Sequence, residues 1–245
     1  MPSTPSLYTV NPHPTTVAYK YSSELTLLTR LYGVSEVNLL NVEIYELTSS
    51  LEGPVRLYVG GLHGREGRVT APILKTLLSE PPPPTGKLIV VPAICSGKKH
   101  VSTLSDAYYR SEEGIKLLSL LRAYSPHIYV ELHCYRASAY KLLTDPMIRA
   151  RRGVPPLLDT GNGLLIGAAP PKLHARFNIP LSIVIEVPCR GGGVNEALRI
   201  LRIIRDSNGV NEVLQRLKEA YPEQTSRIER YLKTINTLTS STRIV

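Results

Sequence analysis

Two short stretches of the sequence each end a run of β-forming residues in side chains that could bind a metal ion. Residues 58–67 carry His63 and Glu66 three positions apart, and residues 129–133 end in His133. A strand that delivers a histidine to its carboxyl end places it where open α/β sheets build their binding sites. Two histidines and one glutamate, with one coordination position left for water, are the ligand set of a catalytic zinc site. The pattern predicts one Zn²⁺ per chain, bound by His63, Glu66 and His133.

The spacing of His63 and Glu66 is weak evidence when it is taken alone, because a histidine and a glutamate in a surface turn give the same pattern. Three features of the surrounding sequence favour a metal site. The pair directly follows a predicted strand, a predicted helix comes after it, and glycines flank it at positions 60, 61, 64 and 67. Glycine allows the chain to bend sharply at the end of a strand.

Two further acidic residues belong to apolar strands of the predicted sheet. Glu131 shares one face of its strand with His133, because side chains two positions apart point to the same side. Metal-bound histidines usually donate their second N–H to a carboxylate or carbonyl, so Glu131 is predicted to hold His133. The alternative is that His133 is a core histidine whose hydrogen bonds are made within the fold and not to a metal site. Glu186 lies inside the apolar run at residues 183–187, where an unpaired carboxylate is costly. A general base beside a metal-activated water would explain its position.

The ordered set of motifs resembles the zinc carboxypeptidase superfamily, and within it a compact, archaeal-type member of the succinylglutamate desuccinylase and aspartoacylase branch. The motifs are residues 61–66, 131–133 and 185–187. The resemblance covers a little over half of the chain, from residue 54 to residue 190. It implies that the two histidines and Glu66 bind zinc and that Glu186 activates the water.

The resemblance also implies residues that bind the substrate. In this branch a stretch similar to Asp-Leu-Asn-Arg holds the substrate, and residues 106–110 stand at that place, so Arg110 is retained and the asparagine is not. Arg110 is expected to bind a substrate carboxylate through two hydrogen bonds, with Arg65 or Arg136 near the rim of the site. An upstream arginine that polarises the scissile carbonyl has no clear match. The residues that could replace it as oxyanion stabilisers are Lys98, Lys99 and His100.

The alternation of strands and helices predicts the fold that positions these residues. Strands are predicted at residues 55–59, 87–91, 128–132 and 181–187, and helices at residues 69–79, 114–124 and 194–205. Near-continuous apolar strands that alternate with helices indicate a mostly parallel sheet covered on both faces. The predicted fold class is therefore α/β, with a mostly parallel mixed sheet flanked by helices, as in zinc carboxypeptidases.

The regions before and between these elements give weaker signals. The N-terminal region is predicted to be antiparallel β structure, with a strand at residues 37–45 and a helix at residues 23–32. Residues 145–180 contain Pro, Gly and Arg without clear periodicity, and are predicted to form long loops over the rim of the site.

The C-terminal region reads as helical. Two helices, around residues 210–221 and 226–237, are separated by Pro222. A single α/β domain at residues 1–205 is therefore predicted to carry a helical extension at residues 206–245.

Composition narrows the functional classes. The net charge is +9, but no nucleic-acid-binding motif accompanies it, so nucleic acid is not the expected partner. No apolar run is long enough to cross a bilayer. The N-terminus lacks the features of a signal peptide, so a cytoplasmic location is expected.

Three distant cysteines without a CxxC pair suit a reducing compartment, and Cys134 is interpreted as structural rather than as a ligand. Two glutamines among many arginines and prolines indicate a thermophile.

Together these observations predict a zinc-dependent hydrolase that cleaves an amide bond in a small molecule or peptide with a carboxylate. Two substrate classes stay open. The predicted cytoplasmic location favours an N-acyl amino acid, and Arg65 within the zinc motif favours a peptide C-terminus. A different class also stays open, namely a catalytically silent zinc-binding or nucleic-acid-associated scaffold whose basic surface is its function.

Overall fold

A computed structural model describes residues 6–7, 19–21, 42–95, 97 and 100–242, and the fold is given for these residues. They form one sheet in the strand order β1–β2–β3–β5–β4–β6–β9–β8–β7. The strands are β1 (Ser6–Leu7), β2 (Tyr19–Tyr21), β3 (Ile44–Thr48), β4 (Val55–Gly60), β5 (Lys87–Val91), β6 (Ile128–Tyr135), β7 (Leu158–Asp159), β8 (Leu165–Ala168) and β9 (Leu181–Pro188). The helices are α1 (Gly67–Thr76), α2 (Asp106–Tyr109), α3 (Glu112–Tyr124), α4 (Tyr140–Thr144), α5 (Pro146–Ala150), α6 (Pro171–Phe177), α7 (Val194–Arg205), α8 (Val210–Ala220) and α9 (Pro222–Thr242). Short 3-10 turns lie at Leu77–Ser79 and Ala137–Ala139.

The centre of the sheet is parallel and its edges are antiparallel. Strands β5, β4, β6 and β9 are neighbours that run in the same direction. Strand β3 pairs antiparallel with β5 on one side, and β8 pairs antiparallel with β9 on the other. The central strands are near-continuous apolar runs because both faces are covered. The predicted α/β fold, with a mixed sheet flanked by helices, is confirmed.

Two apolar layers fill the space between the sheet and its helices. Buried residues from α1, α7, α8 and α9 pack on one face, together with Tyr58 of β4 and Val130 of β6. Buried residues from α3 and α6 pack on the opposite face, together with Val59 and Tyr129. Since side chains alternate along a strand, Glu131 and His133 of β6 lie on the same face as Tyr129.

A buried arginine ties the end of α7 to the start of β4. Arg56 is fully buried, and its guanidinium donates to the carbonyl oxygens of Pro54, Thr85 and Ile204 at 3.0, 2.8 and 3.1 Å. It also donates to the carbonyl oxygen of Ser207. The acceptors near the end of α7 lie where the helix dipole favours a cation. These hydrogen bonds offset the cost of removing the charge from water.

The segment at residues 145–180 is not the long loop that the sequence predicted. It contains α5, β7, β8 and α6, and Asp145 caps α5 by accepting hydrogen bonds from the amides of Met147 and Ile148 at 2.9 and 3.0 Å. Each of these elements has seven residues or fewer. A hydrophobic period needs a window of about eleven residues or more to become visible, so no pattern could develop.

The other predicted elements have mixed outcomes. The helix predicted at residues 23–32 lies outside the described residues, and the strand predicted at residues 37–45 is described only at its end, where β3 begins at Ile44. The two C-terminal helices are confirmed as α8 and α9, with the break at Pro222. Their division from the rest of the chain as a separate extension stays a prediction. Within the described part of the chain, no helix combines the length and apolar character needed to cross a membrane.

A disulfide joins the carboxyl ends of β6 and β9. It links Cys134 to Cys189, whose Cα atoms are 5.0 Å apart. The sparse cysteine spacing, which suited a reducing compartment, did not predict this pair. Fifty-five positions separate the two residues, and only the parallel pairing of β6 with β9 brings them together. Cys134 is thus structural, while Cys95 is free and buried.

Candidate metal centre

The turn after β4 places His63 and Glu66 at the carboxyl end of the parallel strands. Directly after β4 comes Gly61, which has a positive φ of 54°. A β-carbon on Gly61 would lie 2.8 Å from the side chain of Ala93, so this close approach requires glycine. Helix α1 begins directly after Glu66. The strand, turn and helix together hold the two side chains in one place.

His133 reaches the same place from the neighbouring strand. Gly60 of β4 pairs with Leu132 of β6, so His133 lies level with the turn that follows β4. One potential ligand atom from each of His63, Glu66 and His133 lies within 4.8 Å of the other two. Nδ1 of His133 is 3.1 Å from Oε2 of Glu66, and Nδ1 of His63 is 3.3 Å from Oε1. Among the described residues, this is the one group of three such side chains that is close enough to hold a metal ion.

The state of His63 fits a metal ligand. Its Nδ1 is buried and has no hydrogen-bond partner in the described part of the chain, since its approach to Glu66 lacks hydrogen-bond geometry. Burial, with the neighbouring His133 and His100, lowers the pKa of His63 to about 2. The imidazole is therefore neutral and keeps a free lone pair. Two imidazole nitrogens and a carboxylate oxygen are a donor set that suits zinc.

A hydrogen-bonded chain along one face of β6 orients His133. Nε2 of His133 is 3.2 Å from Oε2 of Glu131, and Tyr129 Oη donates to Oε1 of Glu131 at 3.0 Å. All three side chains are buried. Burial alone would lower the pKa of His133, but the carboxylates of Glu66 and Glu131 raise it well above its usual value. The contact with Glu131 occupies Nε2 and directs Nδ1 towards Glu66 and His63.

Glu186 lies beside His133 in the sheet, because the register of β6 and β9 pairs the two residues. Its Oε2 atom is buried and has no hydrogen-bond partner among the described residues. Burial raises the pKa of Glu186 to about 7, although the positive charges of His133 and Arg149 oppose the rise. A carboxylate with a pKa near neutrality and a free oxygen can both accept and return a proton.

The arginines predicted to bind substrate lie on the surface. Arg65, Arg110 and Arg136 are exposed. In the described part of the chain, no hydrogen bond or ion pair joins any of them to the three clustered side chains. Arg110 follows α2 and lowers the pKa of Asp106, whose largest shift comes from a hydrogen bond with Lys172.

One of the three residues expected to stabilise an oxyanion, His100, is described by the structure. Lys98 and Lys99 lie outside the described residues. His100 is exposed and packs edge-on against His63, with the two ring centroids 4.2 Å apart. His100 therefore borders the cluster on its solvent side.

Three residues at or near the site had no role in the sequence prediction. Tyr129 holds Glu131, and its position two residues away on the same face is a signal that could have identified it. Tyr109 has a buried hydroxyl without a partner among the described residues, and burial, followed by the charge of Glu131, raises its pKa. Arg149 is buried on α5 near Glu186, in the segment where the sequence shows no periodicity.

Comparison with known proteins gives the family. The family described as "Uncharacterized protein conserved in archaea (DUF2119)" matches residues 51–237. The chain belongs to this family. It is 36% identical over 206 residues to "Uncharacterized protein MJ0501" of Methanocaldococcus jannaschii, a match that covers 80% of this chain and 96% of that protein.

The DUF2119 chain is also similar to solved structures at low sequence identity. An aspartoacylase family protein from Mesorhizobium loti has a TM-score of 0.39 and 14% identity. The match covers 76% of this chain and 66% of the aspartoacylase family protein. A succinylglutamate desuccinylase/aspartoacylase from Rhodobacter sphaeroides has a TM-score of 0.39 and 18% identity. The match covers 73% of this chain and 58% of the Rhodobacter protein. A metallo-carboxypeptidase from Pseudomonas aeruginosa has a TM-score of 0.38 and 12% identity. The match covers 80% of this chain and 68% of the carboxypeptidase. The DUF2119 chain spans less than two thirds of the length of the first two. All three carry names from the groups that the ordered motifs resemble.

Proposed function

We propose that the protein is a zinc-dependent hydrolase that cleaves an amide bond with the help of a glutamate base. One observation carries the proposal. Within the described part of the chain, Nδ1 of His63 has no hydrogen-bond partner and clusters with Glu66 and His133, beside a carboxylate oxygen of Glu186 that also has none. Buried polar atoms without hydrogen bonds are rare and costly in a packed core. Their concentration around one group of metal-ligating side chains supports a ligand site.

In this proposal His63, Glu66 and His133 hold one Zn²⁺ and leave a coordination position open. A bound zinc ion supplies polarisation of the amide carbonyl and lowers the pKa of water. Glu131, held by Tyr129, keeps the imidazole of His133 turned towards the cluster.

Glu186 carries the proton. Its carboxylate accepts a proton from water while the water oxygen bonds to the carbonyl carbon. When the carbon–nitrogen bond breaks, Glu186 returns the proton to the nitrogen of the leaving amine. Residues with a pKa near the working pH perform both transfers well. We assign the stabilisation of the developing oxyanion to His100, which lies against His63, and Lys99 keeps this role as a prediction from the sequence.

The proposed substrate is a small molecule or peptide that carries a carboxylate. An N-acyl amino acid and a peptide C-terminus both satisfy this description. Arg65, Arg110 and Arg136 are exposed, so they are proposed to contact the outer part of the substrate. The cytoplasmic location and the thermophilic character stay predictions from the sequence.

Metal analysis of the purified protein tests the proposal first. Native mass spectrometry of protein prepared without chelators should show about one zinc ion per chain, and His63→Ala should lose it. His127→Ala is the matched control, because His127 accepts a hydrogen bond from the Val55 amide at the amino end of the strands. This control should keep the zinc. A wild-type protein that carries no metal, and takes up none when zinc is added, would reject the proposal.

Turnover is the second measurement. The zinc-loaded protein should hydrolyse members of a panel of N-acyl amino acids and short peptides. The net charge of +9 is the observation that favours a nucleic-acid-associated scaffold instead. Zinc uptake without turnover, together with nucleic-acid binding that weakens as salt rises, would favour that alternative.

A further inference from the structure

The disulfide between Cys134 and Cys189 lies directly beyond two residues of the candidate metal centre. Cys134 follows His133 in β6, and Cys189 comes three positions after Glu186, just past the end of β9. Because side chains alternate along a strand, Cys134 faces away from His133, and it packs against the apolar layer formed with α1 and α7. The disulfide therefore acts on the site through the strands that carry it and not as a ligand.

The two strands continue past the site without the neighbours that flank them elsewhere. Among the described residues, pairing of β4 with β6 ends at Leu132, and pairing of β8 with β9 ends at Glu186. From His133 onwards, β6 and β9 form a two-stranded ribbon that ends at Tyr135 and Pro188. A two-stranded sheet by itself is only marginally stable in water. His133 and Glu186 thus stand at the base of a ribbon that would open easily on its own.

The disulfide closes the free end of this ribbon. The Cys189 amide donates to the carbonyl oxygen of Tyr135 at 2.8 Å, whereas Pro188 has no amide hydrogen to donate. Three glycines at positions 191–193 follow, all with positive φ, and a β-carbon on either of the first two would meet no described atom within 4 Å. The chain after Cys189 is therefore an open turn that gives the ribbon little support. The covalent bond to Cys134 supplies it instead.

The bond lies where a small thiol can reach it, since both cysteines are only half-buried. A dithiol would reduce it by exchange: one thiolate attacks a sulfur of the disulfide and forms a mixed disulfide, and the second thiol then releases the protein. Two electrons and two protons pass to the protein, so that Cys134 and Cys189 end as thiols and the dithiol as its own disulfide. A reducing compartment, which the cysteine usage predicts, supplies such dithiols, and disulfides there are usually transient or redox-sensing.

We propose that the Cys134–Cys189 disulfide is a redox switch of the candidate metal centre. In the oxidised form the ribbon stays closed and His133 is held beside Glu66 and Glu186. In the reduced form the ribbon opens from its free end towards His133, and zinc is held less tightly. The inference rests on the proposed function, because it concerns the regulation of that same site.

The full-length protein in its oxidised and dithiol-reduced forms tests the switch. Thiol titration after unfolding should count one thiol in the oxidised form, that of Cys95, and three in the reduced form. The dithiol is removed by gel filtration without oxygen, because it binds zinc itself. Competition with a chelator should then show zinc binding about tenfold weaker in the reduced form, the scale at which a lost support weakens a metal-bound histidine. Reoxidation with oxidised glutathione should restore the affinity.

Two variants accompany this measurement. Cys95→Ser is the matched control, since Cys95 lies outside the disulfide, and it should respond to the dithiol as the wild type does. The double variant Cys134→Ser with Cys189→Ser should bind zinc as the reduced form does and should no longer respond to the dithiol. If the double variant does not fold, the comparison of the two forms of the wild type decides.

Hydrogen–deuterium exchange of the metal-free protein gives a readout that does not depend on zinc. Amides at residues 133–135 and 187–189 should exchange faster in the reduced form, while those in the centre of β4 stay protected. A purely structural disulfide predicts a lower melting temperature after reduction, with zinc affinity unchanged at temperatures where both forms are folded. That result overturns the switch, as does a disulfide that the dithiol cannot reduce in the folded protein.

The remaining outcomes separate this inference from the proposed function. Equal zinc affinity in the two forms, or tighter binding in the reduced form, overturns the switch and leaves the metal centre intact. A protein that takes up no zinc in either form rejects the proposed hydrolase. The exchange measurement then decides whether the disulfide controls the ribbon, and equal exchange in the two forms overturns that control.

Discussion

The Tyr129 hydroxyl is the far end of the hydrogen-bonded chain that holds His133, and its removal is a small change with a defined consequence. Tyr129→Phe deletes one oxygen atom and leaves the ring in the apolar layer between the sheet and α3. Oε1 of Glu131 then loses the donor that lies 3.0 Å away. Burial, with the Glu131 charge, raises the pKa of Tyr129 well above 10, so the hydroxyl is a proton donor at every relevant pH.

The size of the effect follows from the burial of the pair. Tyr129 and Glu131 are both fully buried, so water cannot replace the lost donor. A hydrogen bond to a charged group contributes about 1.5–3 kcal/mol, and the free energy of unfolding of the metal-free protein should fall by about that amount. The freed Glu131 would hold His133 less firmly. Loss of such a supporting partner weakens metal binding by about tenfold to a hundredfold.

The assay has two readouts and a matched control. Urea unfolding of the metal-free protein gives the free energy of unfolding, and competition with a zinc chelator gives the zinc affinity. Tyr58→Phe is the control, since the Tyr58 hydroxyl is equally buried and donates to the carbonyl oxygen of Leu201 at 2.9 Å on the opposite face of the sheet. Tyr58→Phe should cost about 0.5–1.5 kcal/mol of stability and leave zinc affinity unchanged. If Tyr129→Phe binds zinc as tightly as the wild type does, the proposed support of His133 is wrong.

The other two predictions concern the base and an ion pair far from the site. Glu186→Gln should keep the fold and the zinc but lower kcat by about 10²-fold or more, the scale of general base catalysis; a variant with normal zinc and wild-type kcat would exclude Glu186 as the base. Glu80 accepts hydrogen bonds from Arg202 and Arg205, and the bond from Arg202 is the main cause that lowers the pKa of Glu80 below its usual 4.5. Because the folded pKa lies below the unfolded one, this pairing stabilises the protein above about pH 4.5, and the contribution is lost as the pH falls through the folded pKa. Glu80→Gln should therefore reduce the pH dependence of the free energy of unfolding on the acid side, and an unchanged acid-side slope in urea titrations would contradict this.

The central strands were predictable because their burial leaves a simple trace in the sequence. A strand covered on both faces is a near-continuous apolar run, as in residues 88–91 and 183–187, and a polar residue at the end of such a run or inside it stands out. His63 and His133 stand out in this way, and Glu186 stands out because it interrupts an apolar run. Parallel pairing then brings the ends of these strands together, so the same short motifs predicted both the fold and the candidate ligands.

The features that the sequence did not reveal depend on contacts between distant segments. Arg149 reads as one of several basic residues in an aperiodic stretch, and its burial follows only from the packing of α5 in the folded chain. The pair of Cys134 with Cys189 depends in the same way on the register of β6 and β9. The exposure of Arg110 was equally invisible, because the motif gives its position in the chain and not the direction of its side chain.

The fully buried guanidinium of Arg56 affects the order in which parts of the protein unfold. Its acceptors Ile204 and Ser207 stand on the two sides of the predicted boundary at residue 205. If the C-terminal helices separated first, a buried cation would lose part of its shell of acceptors, which is a cost of several kcal/mol in an apolar interior. We therefore expect the sheet and the C-terminal helices to unfold as one cooperative unit. A shortened chain that ended at residue 205 would then be a destabilised fragment, and the C-terminal helices are part of the core on which the candidate metal centre is built.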